Sequence, residues 1–109
     1  MAPAKNEYLC ILPDKPGTLQ KRLEVRPAHL EGVKAYLQNE SVVAGGAMLN
    51  SDPVEGETPS FKGSMMMIVA ESKEAALELI RGDIYTKSGV WDVENAQIIP
   101  FKSAVRVAL

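Results

Sequence analysis

The sequence is poor in the residues that usually anchor chemistry in a small protein. Its 109 residues hold one cysteine (Cys10), one histidine (His29), one tryptophan (Trp91) and two phenylalanines. A single cysteine excludes an intrachain disulfide and the multi-cysteine zinc sites. One histidine and scattered thioethers supply no credible ligand set, so no metal and no cofactor is expected. Positive charge is also short. Twelve Lys and Arg against fourteen Asp and Glu leave a net charge of −2, which gives no electrostatic case for nucleic acid or an anionic membrane. No run is long or apolar enough to span a bilayer, and residues 1–6 lack the apolar segment of a signal peptide. A cytoplasmic location is the expectation. Gly45-Gly46 lacks the spacing of the dinucleotide and P-loop fingerprints.

What remains is an ordinary folded composition, 46% apolar and 24% charged. Tyr8 to Leu12 is an apolar run stopped by Pro13 and predicts a buried strand. Pro13 to Thr18 is a loop, and Leu19 to Leu23 has room for a turn or two of helix. Pro27 suits the first turn of a longer helix, along which Leu30, Val33 and Leu37 recur on one side. Ser41 to Leu49 predicts a second strand, Asn50 to Gly63 a long polar connection, and Met65 to Ala70 a third strand apolar on both faces. Ser72 is the N-cap of a helix to about Arg81, with Ala76, Leu79 and Ile80 inward and Gly82 ending it. Asp83 to Gly89 is a short irregular or helical bridge, and a last strand spans roughly Asn95 to Phe101. The order strand, helix, strand, strand, helix, strand predicts an α+β, ferredoxin-like βαββαβ sandwich. Its bare sheet face would be covered by a second copy, so a homodimer is expected.

This topology brings the three long connections to one rim, where sites tend to sit. With Pro27 opening a helix, His29 falls in a first turn at that rim, and Asp83 lies there too. An acid beside an imidazole is the arrangement for moving protons: Asp83 orients the ring and His29 transfers the proton. Against this stands the ordinary reading of a lone histidine as a solvated or packing residue. Arg22 and Arg26 flank the rim and have the fork geometry to hold a carboxylate or phenolate. The plainer role for Arg22 is a surface ion pair with Glu24 or Glu31, whereas Arg26 falls at an N-cap position that it cannot cap. Tyr85 and Trp91 border the third connection and can wall a pocket for an aromatic ligand, with core packing the simpler role for Trp91. Cys10 reads as inert packing.

Several segments resemble, in order, those of the YciI-like (YCII-related) family. They are Lys21 to Leu30 with its arginine-histidine signature, Ala44-Gly45-Gly46-Ala47-Met48, Phe61-Lys62-Gly63-Ser64, Asp83-Ile84-Tyr85, Ser88-Gly89-Val90 and Pro100-Phe101. Ile84 stands where the family carries proline, and the segment from Trp91 to Asn95 is slightly longer than usual. The resemblance implies a dimeric α/β barrel of ferredoxin-like type and a His-Asp active site at His29 and Asp83. Its motifs add Gly46, Met48 and Ser64 to Arg22, Arg26, Tyr85 and Trp91 as substrate-binding candidates. Some relatives are lyases of hydroxylated or chlorinated aromatics, and the wider superfamily includes muconolactone isomerases.

The expectation is therefore a cofactor-independent enzyme of proton transfer (elimination, dehydration or isomerisation) on a small cyclic or phenolic metabolite. The alternative is a non-catalytic dimeric module that binds or senses a small molecule. The expected layout is a loose N-terminus over 1–6, the domain over 7–102 and an arm over 103–109.

Overall fold

The computed structural model describes residues 5–107. The outer parts of the expected N-terminus and arm, 1–4 and 108–109, lie outside the described residues. The elements are β1 (Asn6–Pro13), α1 (Leu19–Gln38), β2 (Val42–Leu49), β3 (Phe61–Ala70), α2 (Lys73–Arg81), α3 (Ile84–Lys87) and β4 (Gln97–Phe101), with a 3₁₀ turn at Val93–Asn95. The sheet order is β2-β3-β1-β4, every neighbouring pair antiparallel. This is the ferredoxin-like α+β sandwich. Asn6 already pairs with Ala70, so the strand starts inside the stretch expected to be loose.

Strand alternation sorts the sheet into two faces. Tyr8, Cys10 and Leu12 of β1 share one face with Ile68, Met66 and Ser64 of β3, their register partners, and all are buried. Ala76 and Ile80 of α2, with Tyr85, Val90 and Trp91, complete that core. Each large apolar side chain fully buried there contributes roughly 1.5–3 kcal/mol. Burial also pushes the Cys10 thiol up to about 11, which keeps it protonated and unreactive. The α2 boundaries follow the expected caps: the Ser72 side chain accepts from Ala75 N–H at 3.1 Å, and Gly82 closes the helix.

The opposite face carries Leu9, Ile11, Met65, Met67 and Val69, half-buried, beside Ile99 and Phe101, which are 36% and 41% exposed. No described element covers it. Beyond β4 the chain adopts no regular element through residue 107, but it is tied back to that face. Ser103 N–H donates to Glu7 Oε2 at 2.9 Å, and Arg106 pairs with the same carboxylate. These contacts hold the Glu7 carboxyl down at about 2, well below its ordinary value.

The first helix differs from expectation. Leu19–Gln38 is one continuous helix with Pro27 inside it, not a short turn followed by a helix that begins at Pro27. Proline deprives the Leu23 carbonyl of its helical donor. Pro27 is exposed, so water can serve that carbonyl and the helix runs on. His29 is therefore in the middle of α1, away from that helix's own N-terminus, and Arg26 is not an N-cap. Nor do Leu30, Val33 and Leu37 pack as core. Helix α1 leans on α3 and on β2, leaving a gap above the sheet that these side chains wall.

Candidate active site

That gap is a cavity of about 710 Å³ between α1 and the β2–β3 half of the sheet. Helix α1 supplies Leu23, Leu30, Val33 and Leu37 as an apolar wall, and β2 presents Val42, Gly45 and Ala47 opposite. Gly45 and Ala47 face Met66 and Ser64 in register, so the strand offers almost no side chain there and the space stays open. Gly46 touches the cavity through its backbone, since it pairs with Met65 on the alternate face. Thr58 and Pro59 bring the long 50–60 connection to the mouth. The volume suits a small organic ligand.

His29 stands on the cavity wall. Its Nδ1 lies 2.8 and 2.9 Å from the two carboxylate oxygens of Asp83. Asp83 is buried (8% exposed) and is the N-cap of α3, with Oδ1 accepting from Tyr85 N–H at 2.9 Å. A carboxylate only accepts, so Nδ1 carries a proton towards Asp83, and it is the neutral form of the ring that keeps a lone pair on Nε2. Nε2 has no hydrogen-bond partner among the described residues. The ring stacks on Tyr85 with centroids 4.2 Å apart and meets the edge of Trp91 at 5.8 Å. A carboxylate on one side and an aromatic plate beneath leave the imidazole one orientation. Behind it, a crevice of about 190 Å³ borders His29, Asp83, Tyr36 and Lys87.

Arg22 is the buried cation of the site, 4% exposed. Its Nη1 donates to both oxygens of Asp14 at 2.7 and 3.0 Å, and its Nη2 donates to Ser64 Oγ at 2.8 Å. The guanidinium lies between the rings of Phe61 and Tyr85, 4.9 and 4.8 Å from their centroids. The surface pairing with Glu24 or Glu31 expected for Arg22 is thus replaced by a buried pair. Asp14 is brought there because the loop after β1 is laced to the 90–92 segment: Lys15 N–H bonds Val90 O at 2.8 Å and Asp92 N–H bonds Pro13 O at 2.7 Å. Burial raises the Asp14 carboxyl above its ordinary value, with Arg22 pulling against that rise. Burial likewise raises the Tyr85 phenol, while Arg22 and Arg26 oppose it.

Of the residues singled out from sequence, Arg22, Arg26, His29, Gly46, Ser64 and Tyr85 line the cavity, and Asp83 sits behind His29. Met48 and Trp91 are not among its lining residues. Met48 pairs with Gly63 at the strand end, and Trp91 is core, its Nε1 donating to Ser64 Oγ at 3.2 Å. Arg26 is exposed at the mouth. Asp14 and Phe61 went unnoticed as site residues. The signal for Asp14 was the need of any buried arginine for a carboxylate. Among the described residues no three His, Cys, Asp or Glu side chains cluster as metal ligands, and no helix is long and apolar enough to cross a membrane.

Comparison with known proteins places these features in company. The profile of the YCII-related domain matches residues 6–102. Fusaric acid biosynthesis protein 2 of Gibberella fujikuroi is 39% identical over 103 residues, covering 94% of this chain and 99% of that protein. Protein YciI of Escherichia coli is 34% identical over 95 residues, covering 87% and 95%. Among solved structures, the 5-chloro-2-hydroxyhydroquinone dehydrochlorinase of Burkholderia phenoliruptrix, in complex with 2,5-dihydroxybenzoquinone, superposes with a TM-score of 0.70. It is 26% identical, covering 88% of this chain and 93% of that one.

Proposed function

The chain belongs to the YCII-related domain family, and on that premise we propose an enzyme that moves a proton on a small cyclic or phenolic metabolite without a cofactor. The reaction class is elimination, dehydration or isomerisation, carried by His29 and Asp83. The observation that supports this reading best is the grip of both Asp83 oxygens on His29 Nδ1 at 2.8 and 2.9 Å, on a histidine in a cavity wall. It leaves Nε2 as the base.

Nε2 takes a proton from a C–H or O–H of the substrate, and Asp83 stabilises the imidazolium that forms. The same nitrogen then returns the proton, to a leaving group in an elimination or to another atom in an isomerisation. Arg26, exposed at the mouth, attracts an anionic group, while Tyr85 and the 50–60 connection limit the space. The similarity to a dehydrochlorinase supports loss of HX from a hydroxylated ring as the first reaction to try.

The test is chloride release from 5-chloro-2-hydroxyhydroquinone and other chlorinated, hydroxylated rings, with product formation followed for a panel of lactones. His29→Ala should lower turnover by about 100-fold or more, the usual worth of a positioned acid–base group. Full turnover in that variant ends the assignment. Ligands that stabilise the protein without being turned over point to the alternative, a binding or sensing module.

We also propose that the working unit is a homodimer paired through the open sheet face of residues 7–102. Its apolar row from Leu9 to Phe101, with no described element over it, supports this. The described part of the arm, residues 103–107, lies beside that face.

A further inference from the structure

We propose that Ser64 is a hydrogen-bond donor of fixed polarity in the cavity floor, and that it selects ligands presenting an anionic or carbonyl oxygen over ligands presenting an N–H. This rests on the cavity being the ligand site of the function proposed above.

Ser64 is 4% exposed and lines the cavity. Two donors converge on its Oγ: Arg22 Nη2 at 2.8 Å and Trp91 Nε1 at 3.2 Å. A guanidinium and an indole N–H donate and never accept, so neither bond can reverse. A hydroxyl has two lone pairs, and both are taken. Only its O–H remains, and no acceptor lies within its reach among the described residues. Arg22 comes from α1 and Trp91 from the core behind the wall, so the O–H has the cavity to point into.

The bond from the guanidinium also polarises the hydroxyl, which strengthens its preference for a charged acceptor. Because Asp14 balances the charge of Arg22, the preference acts at contact and not through a long-range field. A ligand amine would set donor against donor and leave a buried hydroxyl unpaired, the situation that gives polar sites their sharpest discrimination. Trp91, absent from the cavity lining, thereby fixes what the cavity accepts by occupying the second lone pair.

The test is binding of pentafluorophenol, ionised at neutral pH, against pentafluoroaniline, which has the same shape with a donor in place of the oxygen. Both are read by fluorine NMR. The wild-type protein should bind the phenolate at least about tenfold tighter. Ser64→Ala should cut that ratio by about tenfold through weaker phenolate binding, and Ser64→Thr, which keeps the hydroxyl, should retain a preference. Trp91→Phe should narrow the ratio from the other side by improving aniline binding, since it frees a lone pair while Ser64 stays. Equal ratios in wild type and Ser64→Ala, or no change in aniline binding in Trp91→Phe, would overturn the proposal, as would failure of both compounds to bind the wild type. A phenolate preference without turnover of any substrate would count against proton transfer alone. Turnover without the preference would count against Ser64 alone.

Discussion

Arg22→Met tests how the floor of the site is held. The side chains of Arg22 and Asp14 are 4% and 9% exposed, joined by contacts of 2.7 and 3.0 Å, and the guanidinium also fills the slot between Phe61 and Tyr85. Methionine keeps much of the volume but leaves a carboxylate buried without its cation, a change that costs roughly 3–5 kcal/mol. A domain of this size has only about 5–15 kcal/mol in total. The loss must depend on pH. Burial already raises the Asp14 carboxyl above its ordinary value of 3.8 while Arg22 pulls it down. Without Arg22 it rises further. A carboxyl raised in the folded state costs stability above that raised value, and the cost fades as pH falls through it. Urea unfolding followed by Trp91 fluorescence should therefore show a deficit near 3 kcal/mol or more at pH 7 and a clearly smaller one at pH 4 (about 1.4 kcal/mol per unit of added shift). Arg22→Met with Asp14→Leu should recover most of the pH 7 loss. A deficit under about 1 kcal/mol that is the same at both pH values, or a double variant worse than the single, would refute the reasoning.

Other consequences can be checked separately. Glu7, held at about 2 by Ser103 and Arg106, contributes stability that is present above its ordinary 4.5 and is lost as pH falls towards 2. The stability difference between wild type and Glu7→Gln seen at pH 6 should thus vanish by about pH 2. Gly63→Ala would place a Cβ 2.4 Å from the Leu12 carbonyl oxygen, which cannot step aside. Forcing β1 and β3 apart there should cost about 1–3 kcal/mol in a denaturant melt and weaken ligand binding through the neighbouring Ser64. Phe101→Asp puts a charge on the open sheet face, so sedimentation should move from dimer to monomer, and a wild-type protein already monomeric at micromolar concentration would count against pairing.

Local chemistry made some of this architecture legible and left other parts hidden. Ser72 and Gly82 bound α2 because a capping hydroxyl and a helix-ending glycine act within a few residues, and the strands show in short apolar runs. Pro27 misled for the same reason. As a local signal it marks a helix start, but the helix runs through it because its exposed side tolerates the missing bond. His29 was expected beside Asp83 because both would lie at one rim. They do meet, but from mid-helix, through the packing of α3 against α1. The stripe of Leu30, Val33 and Leu37 was visible as a spacing. Whether such a stripe packs or walls a cavity depends on what stands opposite, here the nearly bare Gly45 and Ala47. The burial of Arg22 rests on Asp14, eight residues earlier across a loop, and no periodicity announces such a pair.

In the proposed mechanism His29 works through an unprotonated Nε2 facing the substrate, while Asp83 holds the proton on Nδ1. Long-range nitrogen–proton NMR of the single histidine measures this directly. The account predicts a neutral ring protonated at Nδ1, an Nε2 signal that moves when 2,5-dihydroxybenzoquinone is added, and loss of the tautomer preference in Asp83→Ala. A ring protonated at Nε2, or an Nε2 signal indifferent to every ligand that binds, would contradict it.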